Sequence, residues 1–256
     1  MNTKRNVDVI QLRKQLIYEK YNDIRWASIL DTLEEIVKLN PDISCKELWE
    51  KLMMKDIGKP VTRQEVTDII LETFTEYIPN ADLVIDLGSG WGRYGVTLAN
   101  AGLSQPIYLM EYAESGRFVA DYFSKKYFNG RLKSYPFDYY EPNFTMIPEK
   151  TDVFVYSSYS VEQIPNLDKI VFTKLLERFN EVVGFHIEPV GWQLPEPLSD
   201  NEKFHKRRCI RKGYNKNFYK IIKDLESEKK IEIIRIIRQL EFDRTDGTVI
   251  IWKKIN

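Results

Sequence analysis

The chain has 256 residues, of which 43% are hydrophobic, so it can bury a substantial core. Its formal net charge is zero, which excludes an overall electrostatic attraction to nucleic acid or to an anionic membrane. Cys45 and Cys209 lie far apart and outside any C-x-x-C spacing, which indicates neither a zinc site nor a disulfide framework. No apolar stretch approaches the length of a bilayer span. We therefore expect a cytoplasmic protein without a membrane partner.

The first part of the chain, from about residue 7 to residue 78, is typical of helices, and we predict residues 1–79 to be an N-terminal helical cap. One stretch has apolar residues at helical spacing before Asn40-Pro41, namely Ile29, Leu30, Leu33, Ile36 and Val37. Ser44 and Thr62 each begin a capping box, which predicts two further helices. Their expected buried residues are Leu48, Leu52 and Met53 in the first, and Val66, Ile69, Ile70 and Phe74 in the second.

From residue 80 to residue 256 the pattern changes to short apolar runs that alternate with amphipathic stretches, which predicts an α/β domain with a parallel sheet. Five strands are expected, at residues 83–87, 106–110, 132–135, 152–156 and 182–187. Helices are expected at residues 94–101, 114–128, 167–180 and 217–229. Two further strand-like runs, at 231–242 and 248–253, predict a C-terminal antiparallel hairpin. The expected fold is a doubly wound, mostly parallel, seven-stranded sheet.

The first of these strands runs into the segment Asp86-Leu87-Gly88-Ser89-Gly90-Trp91-Gly92-Arg93, in which a carboxylate precedes three alternating glycines. Glycine has no Cβ and tolerates positive φ, so such a segment can turn sharply and bring backbone N–H groups close to a ligand. The pattern therefore predicts a ligand-binding turn between a strand and a helix.

This segment resembles the first motif of class I methyltransferases that use S-adenosylmethionine, which is a strand, an acidic residue and then Gly-x-Gly-x-Gly. The predicted hairpin agrees with it, because the last strand of that fold runs antiparallel to the others. A second set of residues, Glu162-Gln163-Ile164-Pro165 followed by His186-x-Glu188-Pro189-x-Gly191-Trp192, is similar to bacterial methyltransferases of sugars or small polar metabolites. The resemblance, which covers about residue 80 to the C-terminus, implies S-adenosylmethionine as cofactor and methyl transfer to oxygen of a small polar molecule, with an anionic or a sugar-like molecule as candidates.

Other functions fit some of the same residues. Gly90, Gly92 and Gly95 also satisfy G-x-G-x-x-G, and Glu111 follows at a distance suited to a ribose, so an NAD-dependent oxidoreductase is an alternative. Asp86 favours the methyltransferase, because a carboxylate suits a cationic sulfonium better than a pyrophosphate. Methyl transfer to nitrogen of a small molecule, peptide or RNA, and a catalytically silent cofactor-binding module, also remain open.

The resemblance implies a cofactor site at the carboxyl ends of the strands. Asp86 would hold the amino group of the cofactor, and Glu111, followed by Tyr112, would accept the ribose hydroxyls. Phe137 and Asp138 would contact the adenine, and Ser157, which follows the fourth strand, would be a further cofactor contact. The methionyl part would lie against the glycine turn, which comprises Gly88, Ser89, Gly90, Trp91, Gly92 and Arg93.

For catalysis, a hydroxyl acceptor needs a general base. His186 has a suitable ordinary pKa, Glu162 is the second candidate if burial raises its pKa, and Glu188 could orient the imidazole from the same strand. Tyr159 adds a hydroxyl at the corner after the fourth strand. A core histidine with no catalytic role is an equally good interpretation of His186.

Substrate contacts are expected from Tyr21 and Trp26 in the helical cap, although both could be core aromatics. Gln163 and Trp192 are further candidates. Residues 203–220 form a basic insert that includes His205 and Arg208 and no acidic residue. This insert could be a solvated loop, a lid over an anionic substrate or a contact for RNA phosphates, and we favour a small anionic substrate over nucleic acid. No metal site is predicted.

Overall fold

The computed structural model describes residues 2–58, 74, 76–240 and 247–255. The chain begins with three α-helices and a π-helical segment, Glu19–Trp26; the α-helices are α1 (Asn2–Tyr18), α2 (Ala27–Leu39) and α3 (Cys45–Ile57). Ser44 caps α3, because its Oγ accepts a hydrogen bond from the Glu47 N–H at 3.2 Å. The predicted buried residues Leu48, Leu52 and Met53 are all buried. The helix predicted at Thr62 lies largely outside the described residues, although Phe74 is described and buried.

Seven strands in the described part of the chain form one sheet in the order β3-β2-β1-β4-β5-β7-β6, and β7 is antiparallel to both of its neighbours. This confirms the predicted doubly wound sheet and its C-terminal hairpin. The strands are β1 (Leu83–Leu87), β2 (Ile107–Glu111), β3 (Leu132–Pro136), β4 (Val153–Ser158), β5 (Val182–Glu188), β6 (Ile231–Leu240) and β7 (Gly247–Lys254). The helices that follow them are α4 (Arg93–Asn100), α5 (Glu114–Tyr127), α6 (Ile170–Arg178), α7 (Asp200–Lys212) and α8 (Phe218–Ser227).

The sheet is covered on both faces, and successive residues of β1 belong to different apolar clusters. Val84 packs with the N-terminal helices and α5, whereas Leu83 and Ile85 pack on the opposite face with α6 and α8. Burial on both faces explains why the central strands are continuous apolar runs. Trp26 and Leu33 lie in the same cluster as Val84, so the N-terminal helices pack directly on the sheet layer. The domain boundary at residue 79 stays a prediction.

The interpretation of residues 203–220 as a solvated loop is wrong for residues 203–212, which lie in α7. Its start is a complete capping box, in which Ser199 Oγ accepts from the Glu202 N–H at 3.2 Å and Glu202 Oε2 accepts from the Ser199 N–H at 2.7 Å. Gly213, at φ 62, ends the helix. Among the helices that the structure describes, none is both long enough and apolar enough to cross a bilayer.

Candidate active site

A cavity of about 260 Å³ lies at the carboxyl ends of β1, β2 and β4. β1 has β2 on one side and β4 on the other, so this is the position where the strand order reverses and where ligands bind in open α/β sheets. Its wall contains most of the residues that the sequence predicts for the site: Tyr21, Trp26, Asp86, Gly88, Ser89, Gly90, Trp91, Arg93, Glu111, Tyr112, Phe137, Asp138, Tyr159, Glu162 and Gln163. Seven predicted residues are absent from this wall: Ser157, His186, Glu188, Trp192, His205, Arg208 and Gly92.

The glycine turn is held in place by its neighbours on both sides. Gly88, Gly90 and Gly92 have φ of 70°, 59° and 80°, a region that other residues rarely adopt. A Cβ on Gly90 would lie 2.8 Å from Cζ2 of Trp26, so the π-helical segment packs directly on the turn. The Ser89 hydroxyl is buried and has no hydrogen-bond partner within the part of the chain that the structure describes. A ligand in the cavity could supply that partner.

Two buried carboxyl groups, of Asp86 and Glu111, line the cavity beside the turn. The Tyr156 hydroxyl donates to Asp86 Oδ2 at 2.7 Å, and burial raises the pKa of Asp86 to about 7. Glu111 accepts from the Gly90 N–H at 2.7 Å and from the Ala113 N–H at 2.8 Å, and burial raises its pKa as well. Each carboxylate oxygen has more than one lone pair, so both groups can also accept from donors of a ligand.

Asp138 is engaged by the N-terminal helix. Its Oδ2 lies 2.6 Å from Lys14 Nζ, and its Oδ1 accepts from the Tyr140 N–H at 2.8 Å. Lys14 also contacts Glu141 at 2.8 Å. The sequence reasoning missed Lys14, because the pair joins α1 to a loop far along the chain and no local pattern marks it.

Asp56 of α3 is a second residue that the sequence reasoning missed. Its fully buried side chain accepts from Arg25 Nη2 at 2.7 Å, from Trp91 Nε1 at 3.2 Å and from Arg93 Nη1 at 3.2 Å. Burial alone would raise the pKa of Asp56, but the charges of Arg93 and Arg25 hold it below its usual value. Asp56 thereby joins α3, the π-helical segment and the glycine turn.

Glu188 of β5 holds the corner after β4 in place. Its buried carboxyl accepts from the Ser157 hydroxyl at 2.8 Å and from the backbone N–H groups of Ser160, Val161 and Glu162, each at 3.2 Å. Burial raises the pKa of Glu188 to about 8, although the Ser157 hydrogen bond acts in the opposite direction. Glu188 therefore supports the 3₁₀ turn Val161–Gln163 rather than facing the cavity.

His186 lies in the apolar core on the other face of the sheet from Asp86. The strand register pairs Asp86 with Tyr156 and Tyr156 with Phe185, so the next residue, His186, points away from the Asp86 side. Its Nδ1 is 2.9 Å from Ser157 Oγ, and burial lowers its pKa to about 3. The imidazole is consequently neutral at physiological pH and does not reach the cavity wall.

Glu162, the second candidate for the base, lies in the cavity wall. Gln163 Nε2 donates to Glu162 Oε1 at 2.6 Å. Burial raises the pKa of Glu162 to about 6, while the charges of Lys20, Arg208 and Lys212 oppose that rise. Of the acid–base groups that the sequence singles out, Glu162 thus combines a position in the wall with a pKa near neutrality.

The other predicted substrate residues lie around this cavity rather than in it. Trp192 is in the 3₁₀ turn Gly191–Gln193, and His205 is buried on α7. Arg208, also on α7, acts on Glu162 through its charge. The described residues contain no group of three or more His, Cys, Asp or Glu side chains arranged to hold a metal ion.

The fold has clear relatives among solved structures. Magnesium protoporphyrin IX methyltransferase (ChlM) from Synechocystis PCC 6803, with bound SAH, is 14% identical over 76% of this chain and 84% of its own, with a TM-score of 0.52. The glycopeptide N-methyltransferase MtfA complexed with sinefungin is 12% identical over 74% and 86%, with a TM-score of 0.51. The mitomycin 7-O-methyltransferase MmcR is 13% identical over 90% and 68%, with a TM-score of 0.53.

No protein-family model matches the chain, and no curated protein sequence matches it. At the identities of the solved relatives, the likeness establishes the fold. The chain therefore has the Rossmann-like fold of class I methyltransferases, as the glycine turn and the hairpin predict.

Proposed function

We propose that this protein is an S-adenosylmethionine-dependent methyltransferase that methylates an oxygen atom of a small polar molecule. The observation that carries the proposal is the pairing of a positive-φ glycine turn with two buried carboxyl groups, Asp86 and Glu111, in one cavity at the strand ends. A cavity with this lining suits a ligand that has both cationic and hydroxyl groups.

The residues present fit that cofactor. Asp86 would hold its amino group, Glu111 its ribose hydroxyls, and the unpartnered Ser89 hydroxyl a further polar atom. The N–H groups at the start of α4 would face its carboxylate. When bound, S-adenosylmethionine supplies a methyl group on a positively charged sulfur. Relatives of the same fold that were crystallised with SAH or sinefungin support this assignment.

On the acceptor side, Glu162 would take the proton from the attacking hydroxyl. It faces the cavity from the corner that Glu188 supports, and its raised pKa makes it an effective proton acceptor near neutral pH. Tyr21, Trp26 and Tyr159 line the same cavity and would exclude water from the acceptor. We assign His186 to the core, because its imidazole does not reach the cavity.

The test is acceptor-dependent formation of S-adenosylhomocysteine. The purified protein is incubated with S-adenosylmethionine and a panel of matched hydroxyl and amino compounds. We expect product with members of the hydroxyl series and, at subsaturating S-adenosylmethionine, about tenfold less product from the Glu111→Gln variant. Product with amino compounds alone would show that the acceptor atom is nitrogen rather than oxygen. Failure with every acceptor, despite tight cofactor binding, would indicate a silent binding module and contradict the proposed activity.

A further inference from the structure

Four basic side chains lie close to Glu162 and Gln163, which are part of the cavity wall. Arg13 is in α1 and Lys20 is in the π-helical segment, whereas Arg208 and Lys212 are in α7. We call these four residues the cationic cluster. Three elements from two distant parts of the chain thus bring positive charge to one edge of the cavity.

The contacts of the cluster place it at this edge. Arg13 Nη2 donates to the Gln163 carbonyl at 2.9 Å, and Lys20 Nζ donates to Gln163 Oε1 at 3.3 Å. Lys20 Nζ lies 6.0 Å and Lys212 Nζ lies 5.6 Å from the ring centroid of Tyr214. Arg208 acts on the Glu162 carboxyl through its charge. Tyr214 and Gln163 therefore connect the two halves of the cluster.

The cluster has an excess of positive charge. In the described part of the chain, none of its four members forms an ion pair with a carboxylate, whereas the nearby Lys14 and Arg25 are paired with Asp138 and Asp56. Glu162 is one carboxylate against four cations. Burial lowers the pKa of Lys20, the charge of Glu162 opposes that shift, and the charges of Arg25, Lys212 and Arg13 add to it. Such a cluster is stabilised by an added anion.

We propose that the cationic cluster binds an oxyanion group, phosphate or carboxylate, of the acceptor and thereby directs an acceptor hydroxyl towards Glu162. This inference rests on the proposed methyltransferase function. Arg and Lys form their strongest hydrogen bonds with such oxyanions, and Arg can do so with two parallel donors. Because the cluster joins the N-terminal segment to α7, an anion bound there also holds the two elements together over the cavity.

The test is isothermal titration calorimetry of the intact protein with inorganic phosphate and, separately, with acetate, at constant ionic strength. Binding of either anion is expected, and the one bound identifies the acceptor group. Arg208→Gln and Lys20→Gln should each weaken binding about tenfold or more, which is the effect of losing one hydrogen bond to a charged group. Arg207→Gln is the matched control, because Arg207 is the exposed neighbour on the same helix.

Two results would overturn the inference. One is the absence of binding by both anions, and the other is equal weakening in Arg207→Gln and Arg208→Gln, which would reflect the general charge of α7. Titration of the same samples with S-adenosylhomocysteine separates this inference from the proposed function. Anion binding without S-adenosylhomocysteine binding would support an anion site at the cluster and contradict the proposed methyltransferase function. Binding of S-adenosylhomocysteine without binding of either anion would contradict only the anion site.

Discussion

The acid–base chemistry of this site depends on the different surroundings of two side chains, Glu162 and His186. Both are buried to a degree that shifts their pKa away from the ordinary value. The shift moves Glu162 towards neutrality, to about 6, and moves His186 out of the useful range, to about 3. Only Glu162 of the two lines the cavity. The environment therefore makes Glu162 the better general base, although the ordinary pKa values favour His186.

Replacing Glu162 with glutamine should lower the rate of methyl transfer about a hundredfold, because a general base contributes at least this much. In the wild type the rate should rise with pH through about 6, since the base acts only when it is unprotonated. The measurement is the pH profile of S-adenosylhomocysteine formation. An unchanged profile in the variant, with unchanged cofactor affinity, would exclude Glu162 as the base.

Asp86 should make cofactor binding depend on pH. Its pKa of about 7 means that it is mostly protonated at pH 6 and mostly ionised at pH 8, and only the ionised form attracts a ligand amino group. Affinity for S-adenosylhomocysteine should therefore rise about tenfold over this range, and less in Asp86→Asn. The charged or titratable groups that act on Asp86 are Tyr156, Arg93 and Glu111. Parallel curves for the two proteins, measured by calorimetry, would refute this role.

The cofactor side of the site was predictable because its residues follow one another in a local pattern. Asp86, the glycine turn and Glu111 all stand at strand ends, so strand prediction alone places them together. Asp56, Lys14 and Lys20 were not predictable in this way, because they come from helices that meet the strand ends only after folding. The sequence left two interpretations of His186 open, because the face on which it lies depends on the strand register, which the sequence does not reveal.

At the scale of elements, the corner after β4 owes its conformation to a neighbouring strand. Glu188 of β5 accepts three consecutive backbone N–H groups of this corner, so one side chain sets the position of Glu162. The prediction of a catalytic Glu188 is thus replaced by the proposal that it is a positioning residue.

Replacing Glu188 with glutamine should slow methyl transfer about tenfold or more while leaving affinity for S-adenosylhomocysteine within about threefold. The variant places an amide NH₂ where the carboxyl now accepts backbone N–H groups, and the lost acceptor displaces the corner. Glu177→Gln, at an exposed position of α6 outside the cavity wall, is the matched control and should fold and bind normally. Unchanged turnover in Glu188→Gln would show that the corner does not need this support.

The N-terminal helices are joined to the glycine turn through Asp56. Asp56→Asn should lower the free energy of unfolding by about 3 kcal/mol, because it leaves the buried guanidinium of Arg93 without its charge partner. Asp42→Asn, at an exposed position before α3, is the matched control and should change it by less than about 0.5 kcal/mol. Denaturant unfolding followed by fluorescence measures both. Equal stability of the two variants would show that the Asp56 contacts contribute little.

Element boundaries were predictable where capping residues mark them, and α7 shows what happens when such a mark is overlooked. The signal for its start, Ser199 followed three residues later by Glu202, is in the sequence, but the run of basic residues beyond it favours a solvated loop. The basic residues are compatible with a helix because they lie mostly on its exposed side.

For the molecule as a whole, a net charge of zero conceals a strong local separation of charge. The cavity wall contains the carboxyl groups of Asp86 and Glu111, whereas the cationic cluster lies outside the wall, beside Glu162 and Gln163. The sheet creates this arrangement, since the strand ends supply the acids while α1, the π-helical segment and α7 supply the bases. Composition alone could not predict it, because the two groups cancel in the total.

We expect the cavity to bind S-adenosylmethionine rather than a dinucleotide. The most direct test is calorimetric titration of the wild type with S-adenosylhomocysteine and, separately, with NAD. We predict binding of S-adenosylhomocysteine that weakens about tenfold or more in Glu111→Gln, with no binding of NAD. Binding of NAD, with no response to S-adenosylhomocysteine, would contradict the account and make Gly90, Gly92 and Gly95 a dinucleotide-binding turn.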